Sequence, residues 1–302
     1  MDMAIGFPLI LLMVFTGMAV GATILAAIVE LIDAREKQNR FNDVARLGAY
    51  IALPTLLIGL AASMLHLANP FMFINGLLNF GSSWISAEGV FGILFLILLA
   101  LYVLIWFMTK RGKSVATGLR VIIAVLAAVA AVCLIYSTGM VYVIVKPIPA
   151  WNTPLTLLFF IVSACTMGIL LAGTALAVAG KFGKGEAKSE IWKGLLVLPR
   201  AALVLVLALI VVEALRLLHL SAAPSEVALQ SLSMLGGPLL ALSLLRWIVG
   251  LVLPAVLLLY ACLSGEKAKQ GTMSMLVIVS FICVLAGEIV SRALFFMTAL
   301  HV

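Results

Sequence analysis

His66 and Glu88 are the two side chains of this sequence best suited to move protons. The 21 residues between them carry no charged side chain. The apolar run ending Ala62-Ser63-Met64-Leu65-His66-Leu67 is broken at Pro70, and Glu88 opens the next apolar run. An imidazole and a carboxylate thus bracket one loop, an arrangement able to accept protons from a hydrophobic donor at a membrane surface. A second set of ionisable residues lies inside apolar stretches, where charge is costly and usually functional. It comprises Glu213, Arg216 and His219, then Arg246, then Glu288 and Arg292. Glu288 and Arg292 are four apart, so they share a helix face with the acid in the favoured N-terminal position. Glu213, Arg216 and His219 step by three and share a face in the same way.

The elements that hold these residues are membrane helices. The sequence is 65% apolar and only 10% charged, with a mean hydropathy of +1.29. A soluble domain carries about 25% charge. About 20 apolar residues cross the hydrocarbon, and eight such stretches are present: 5–31, 47–68, 89–109, 115–145, 154–180, 196–219, 238–262 and 272–300. This predicts an all-α integral membrane protein, one eight-helix transmembrane domain over 1–302. The first stretch lacks a basic leader, its only early charge being Asp2, so it is expected to remain a helix rather than a cleaved signal.

A net charge of +7 could suggest nucleic acid, but its distribution excludes that reading. Arg35, Lys37, Arg40, Arg46, Lys110, Arg111, Lys113, Lys181, Lys184, Lys188, Lys193, Lys267 and Lys269 all fall in alternate loops, thirteen of the nineteen basic residues. The remaining loops hold only Lys146. Basic loops stay in the cytoplasm, which places both termini on the outer side of the cytoplasmic (inner) membrane. At about 1.5 Å per residue, Glu288 lies about 25 Å along the eighth stretch from its inner end. Arg246 lies at a similar depth, so the ionisable set collects in the outer half with His66 and Glu88. A one-sided cluster marks one site rather than a path across. Glu30, Arg120 and Arg200 fall near the inner ends, where charge is less costly, and are not part of this set.

Several residues have plainer readings. Cys133, Cys165, Cys262 and Cys283 stand singly in apolar helices and read as small fillers. Pro254 predicts a kink in the seventh helix. Gly17, Gly21, Ala27 and the run Ala127, Ala128, Ala130 and Ala131 permit close helix approach in lipid. No internal repeat of the transporter kind is evident. Glu226 reads as a solvated loop charge, His219 as interfacial and His301 as part of a frayed end. Three histidines cannot ligate two bis-histidine haems, and no metal site is expected. Phe71, Phe73, Phe80 and Trp84 suit either the membrane interface or a docking surface for an external protein, and Tyr142 either anchors at the interface or donates its hydroxyl to a ligand.

The segment Ala62-Ser-Met-Leu-His66-Leu with Pro70, Asn75, Gly81, Ser86 and Glu88 resembles the second-to-third-helix region of the membrane-anchor subunit of the dimethyl sulfoxide reductase family. Leu285-Ala-Gly-Glu288-Ile-Val-Ser-Arg292 with Phe295 and Phe296 is a second match; Val141-Tyr142, Pro149, Trp151 and Arg246 are weaker echoes. The resemblance covers essentially the whole sequence. It implies a haem-free anchor that oxidises menaquinol, with His66 and Glu88 at the quinol site and Tyr142, Arg246, Glu288 and Arg292 shaping it. It also implies an iron–sulfur subunit and a molybdopterin catalytic subunit docked outside, so that the anchor has a quinol site but no terminal-acceptor chemistry. The rival readings are a small-solute or ion transporter, an anchor working in the quinone-reducing direction, and an anchor whose site has decayed.

Overall fold

The computed structural model describes residues 3–36, 41–65, 77–113, 115–182, 186–223 and 225–300. His66, Pro70, Phe71, Phe73, Asn75 and His301 lie outside the described residues. Among the described residues the regular structure is helical throughout: α1 Met3–Glu36, α2 Asn42–Leu65, α3 Trp84–Lys110, α4 Thr117–Val143, α5 Pro154–Ala179, α6 Glu186–Ala222, α7 Glu226–Gly236, α8 Leu240–Trp247, α9 Leu253–Ser264 and α10 Gln270–Met297. Among the described residues eight helical spans are long and apolar enough to cross a membrane, the seventh being the composite of α8 and α9. The connections from α1 to α2, α3 to α4, α5 to α6 and α9 to α10 are short, so the spans they join reverse direction. One end of the bundle carries Arg46, Lys110, Arg111, Lys181 and Lys267 and is called the basic end below.

Burial ranks the spans. About two-thirds of the first and fifth is enclosed, against 28–44% for the others, so α1 and α5 form the centre. Their crossing rests on Gly21 and Gly168. A β-carbon on Gly21 would overlap the Ala164 carbonyl, and one on Gly168 would overlap the Gly21 and Ala22 backbone. In lipid such backbone approach replaces hydrophobic driving force. Gly21→Leu is expected to destabilise the bundle by about 3 kcal/mol, read as earlier thermal aggregation in detergent. Gly118→Leu, whose β-carbon meets nothing within 4 Å, should leave that temperature unchanged.

Local chemistry explains the boundaries that position the site. Thr153 is extended and accepts a hydrogen bond from the Leu155 amide, while Pro154 opens α5 where its missing N–H costs nothing. Ser83 is extended before α3, and its carbonyl takes the Ala87 amide at 3.0 Å. The third helix therefore starts at Trp84, five residues before its apolar run, and Glu88 sits one turn inside it. The seventh span is irregular just ahead of Pro254. The wide π turn Ile248–Val252 precedes it, and Pro254 falls in the first turn of α9, where no amide is needed. The helix is thus irregular over the turn before the proline.

The connection between the sixth and seventh spans, expected as a solvated loop around Glu226, is instead partly helical. It contains α7, in which Glu226 occupies the first turn. Ala228 is fully buried against Ile148, Ala150 and Leu220. This helix, lying opposite the basic end, packs the fourth-to-fifth connection onto the end of α6.

Candidate functional site

One cluster of buried charges lies at the end of the bundle away from the basic loops. α10 carries Glu288 and Arg292, respectively 0% and 1% exposed, and α8 contributes Arg246, 1% exposed. The Arg246 guanidinium lies 2.9 Å from Glu288 Oε1, a contact of charges rather than an aligned hydrogen bond. Ser163 of α5 donates its hydroxyl to Glu288 Oε2 at 2.5 Å and accepts from Arg292 Nη2 at 2.9 Å. Arg292 itself stands 3.6 Å from the carboxylate. The i,i+4 pair legible in the sequence is real, but its acid is held more closely by Arg246 and Ser163. Gly250 and Gly287 make that possible: a β-carbon on either would overlap the other's backbone, so α10 and the π turn touch directly beside the ion pair.

Aromatic rings surround these charges. Arg292 lies over Phe159 and Phe160 at 4.4 and 4.2 Å from their centroids. Arg216 approaches Phe159 at 4.5 Å and Phe295 at 5.6 Å, and is paired with Glu213 at 3.2 Å. The Glu213/Arg216 pair therefore reaches the cluster through shared rings, which its own spacing does not reveal. His219 is exposed one turn further on. Tyr142 stacks on Phe160 at 5.8 Å and meets Trp151 and Phe295 edge-on at 5.0 and 5.1 Å. Trp151 is fixed by donating its indole N–H to the Phe295 carbonyl at 2.8 Å.

Glu88 completes the arrangement from the other side. Its Oε1 accepts the Thr138 hydroxyl at 2.8 Å, across from α3 to α4. Tyr142 is one turn beyond Thr138 and lies within electrostatic reach of both Glu88 and Arg292. The structure thus brings together Glu88, Tyr142, Arg246, Glu288 and Arg292, with Thr138, Ser163, Phe159 and Phe160 as partners that the sequence does not flag. A threonine or serine in an apolar helix gives no signal by itself; only the cross-helix contact does. His66 follows directly on Leu65, the last residue of α2, and lies outside the described residues.

This end of the bundle offers a carboxylate with a hydroxyl neighbour, a half-buried phenol and guanidinium donors. Arg246 Nε and Nη2 and Arg292 Nε and Nη1 have no hydrogen-bond acceptor among the described residues. Such donors suit an oxygen-bearing, mostly apolar ligand. Among the described residues no group of three or more His, Cys, Asp or Glu is placed to hold a metal ion.

A second polar cluster sits at the basic end. Glu30, 1% exposed, accepts from the Tyr102 hydroxyl at 2.9 Å and pairs with Arg120 at 2.9 Å. Arg120 also lies 4.2 Å over the Trp106 ring. Sequence position alone makes Glu30 and Arg120 interfacial; packing of α1, α3 and α4 buries them as a tie. Arg200, at the same level by sequence, is exposed. Arg120 and Thr138 are both on α4, about 27 Å apart along its axis. Between them α4 buries Ala124, Ala127, Ala130, Ala131 and Leu134, so no polar relay on that helix joins the two clusters.

A multi-pass membrane protein, helical among its described residues and with a buried charged cluster at each end, is the class these features define. The family model for the DMSO reductase anchor subunit (DmsC) matches residues 2–297, and the protein belongs to that family. A sulfite dehydrogenase subunit of Allochromatium vinosum is 30% identical over 139 residues, 44% of this protein and 43% of that one. A component of the anaerobic dimethyl sulfoxide reductase of Haemophilus influenzae is 30% identical over 165 residues, 55% of this protein and 56% of that one. The matched segments span about half the length of these curated relatives. A polypeptide in the structure of bd oxidase from Geobacillus thermodenitrificans superposes with a TM-score of 0.71 over 97% of this protein and 85% of that one, at 12% identity. That likeness is one of fold alone.

Proposed function

We propose that this protein is the anchor of a quinol-dependent reductase complex in the cytoplasmic membrane and oxidises menaquinol at the end of the bundle away from the basic loops. The observation that carries the reading is the grouping at that end of the Glu88–Thr138 pair and the Arg292–Ser163–Glu288–Arg246 cluster, with Tyr142 within electrostatic reach of Glu88 and Arg292. By the charge of the loops this end faces outward, with both termini. The substrate loses two electrons and two protons. His66 is the first proton acceptor and Glu88 passes the proton outward, while Tyr142 and the Arg246/Glu288/Arg292 group hold and polarise the quinol oxygens. The electrons leave to an iron–sulfur subunit docked on the same face and then to a molybdopterin catalytic subunit. The anchor has no haem or metal of its own and performs no terminal-acceptor chemistry.

One observation favours a second reading. One of the relatives is named as a subunit of a sulfite dehydrogenase, and the same pocket chemistry would serve a complex that reduces quinone. The transporter alternative fits less well, because the two polar clusters lie about 27 Å apart along α4 with apolar side chains between them.

The test is His66→Ala in the native membrane. Quinol-dependent reduction should disappear while the complex still assembles and still accepts electrons from a soluble dye that reduces the partner subunits directly. Normal quinol turnover in the assembled variant would refute the assignment.

A further inference from the structure

At the basic end, far from the proposed quinol site, the second and third spans part to leave a groove on the lipid-facing surface. It has a volume of 440 Å³ and is lined by Tyr50 of α2 and by Ala100, Val103, Leu104 and Phe107 of α3. The four α3 residues follow the spacing of one helix face, and Ala100, Leu104 and Phe107 are exposed. Measured from the start of α2 and the end of α3, the groove lies between about 5 and 15 Å from the helix ends. That is the depth of upper acyl segments in one leaflet.

Its mouth is basic. Arg111 lies over the Phe107 ring at 4.2 Å, which holds a guanidinium above the groove wall. Lys110 is beside it, exposed. Arg46 is one turn from Tyr50 on the same face of α2 and within electrostatic reach of it. Asp43, 2.5 Å from Arg46, offsets one of these three charges. Arg46 Nε and the Tyr50 hydroxyl are enclosed beneath this face and have no hydrogen-bond acceptor among the described residues. The groove therefore combines an apolar slot with a surplus of positive charge at its rim. A phosphodiester supplies acceptors only and a negative charge, and an acyl tail fits the slot.

We propose that this groove is a specific site for one anionic glycerophospholipid of the leaflet at the basic end, its phosphate held by the Arg46 and Arg111 guanidinium groups and an acyl tail lying along Val103 and Phe107. The site is independent of the quinol chemistry at the other end.

The experiment is native mass spectrometry of the purified protein, delipidated in detergent and titrated with phosphatidylglycerol or phosphatidylcholine. One phosphatidylglycerol should be retained, saturably, in preference to phosphatidylcholine. The double substitution R46Q/R111Q should lower phosphatidylglycerol retention roughly 20- to 30-fold, leaving phosphatidylcholine unaffected. A100W, which fills the slot and keeps every charge, should abolish the single tight lipid; should it fail to elute as an intact species, the charge variant alone decides. Equal retention of the two lipids would mean ordinary lipid solvation and overturn the proposal. So would unchanged binding in R46Q/R111Q, or a groove taken by a quinone or by a second copy of the protein.

Discussion

Glu288→Ala is expected to be the most damaging single change in this protein. It leaves Arg246 and Arg292, both about 1% exposed, without their shared counter-charge. Removing one partner of a buried pair costs about 3–5 kcal/mol, because the remaining charge stays desolvated. Here two charges are stranded, and Ser163 loses the acceptor of its hydroxyl as well. The expected result is a protein that fails to accumulate in the membrane, or that aggregates at much lower temperature in detergent. Glu288→Gln should be milder, since its amide oxygen still accepts from Ser163 and from either guanidinium. If the alanine variant accumulates and melts like the parent, the cluster is solvated by water and contributes little to the fold.

Glu88→Gln should produce the opposite pattern, a stable protein with little turnover. Glutamine can still accept the Thr138 hydroxyl at its present 2.8 Å, so the α3–α4 contact survives. What is lost is a group that can take up and release a proton. General acid–base contributions of this kind are about 10²–10⁴-fold in rate. Quinol-dependent reduction by the assembled complex should fall by that factor, while reduction driven by a dye that bypasses the quinol site stays unchanged. Loss of both activities together would point to failed assembly instead.

The eight spans are legible in the sequence because lipid imposes few options. A run of about 20 apolar residues has to be helical to satisfy its backbone, and the approximate extent of each span follows from that alone. Where expectation and structure part, composition outweighs a local signal. Trp84 and Ser86 are not strongly apolar, so hydropathy starts α3 late and puts Glu88 at its edge rather than inside it. α7 reads as loop because Glu226 and Ser225 look solvated, although Ala228 shows where it packs.

The site is legible where charge is rare. Glu288 and Arg292 announce themselves by spacing, and Arg246 by depth. Their true geometry is not, because it depends on Ser163 and on two glycines from different helices. Glu30 and Arg120 illustrate the same limit from the other side. A charge near a helix end commonly snorkels to water, and nothing local to either residue shows that Tyr102 and Trp106 enclose them.

The π turn at Ile248–Val252 also governs the register of the seventh span. A π turn is an α-helix carrying one additional residue, and each residue advances an α-helix by about 100°. The two halves of this span therefore face their neighbours independently. α8 is indexed by Arg246, which must meet Glu288, whereas α9 is indexed by Leu258 and Ala261, which are buried in the core. The turn takes up the angular difference between a half set by charge and a half set by packing.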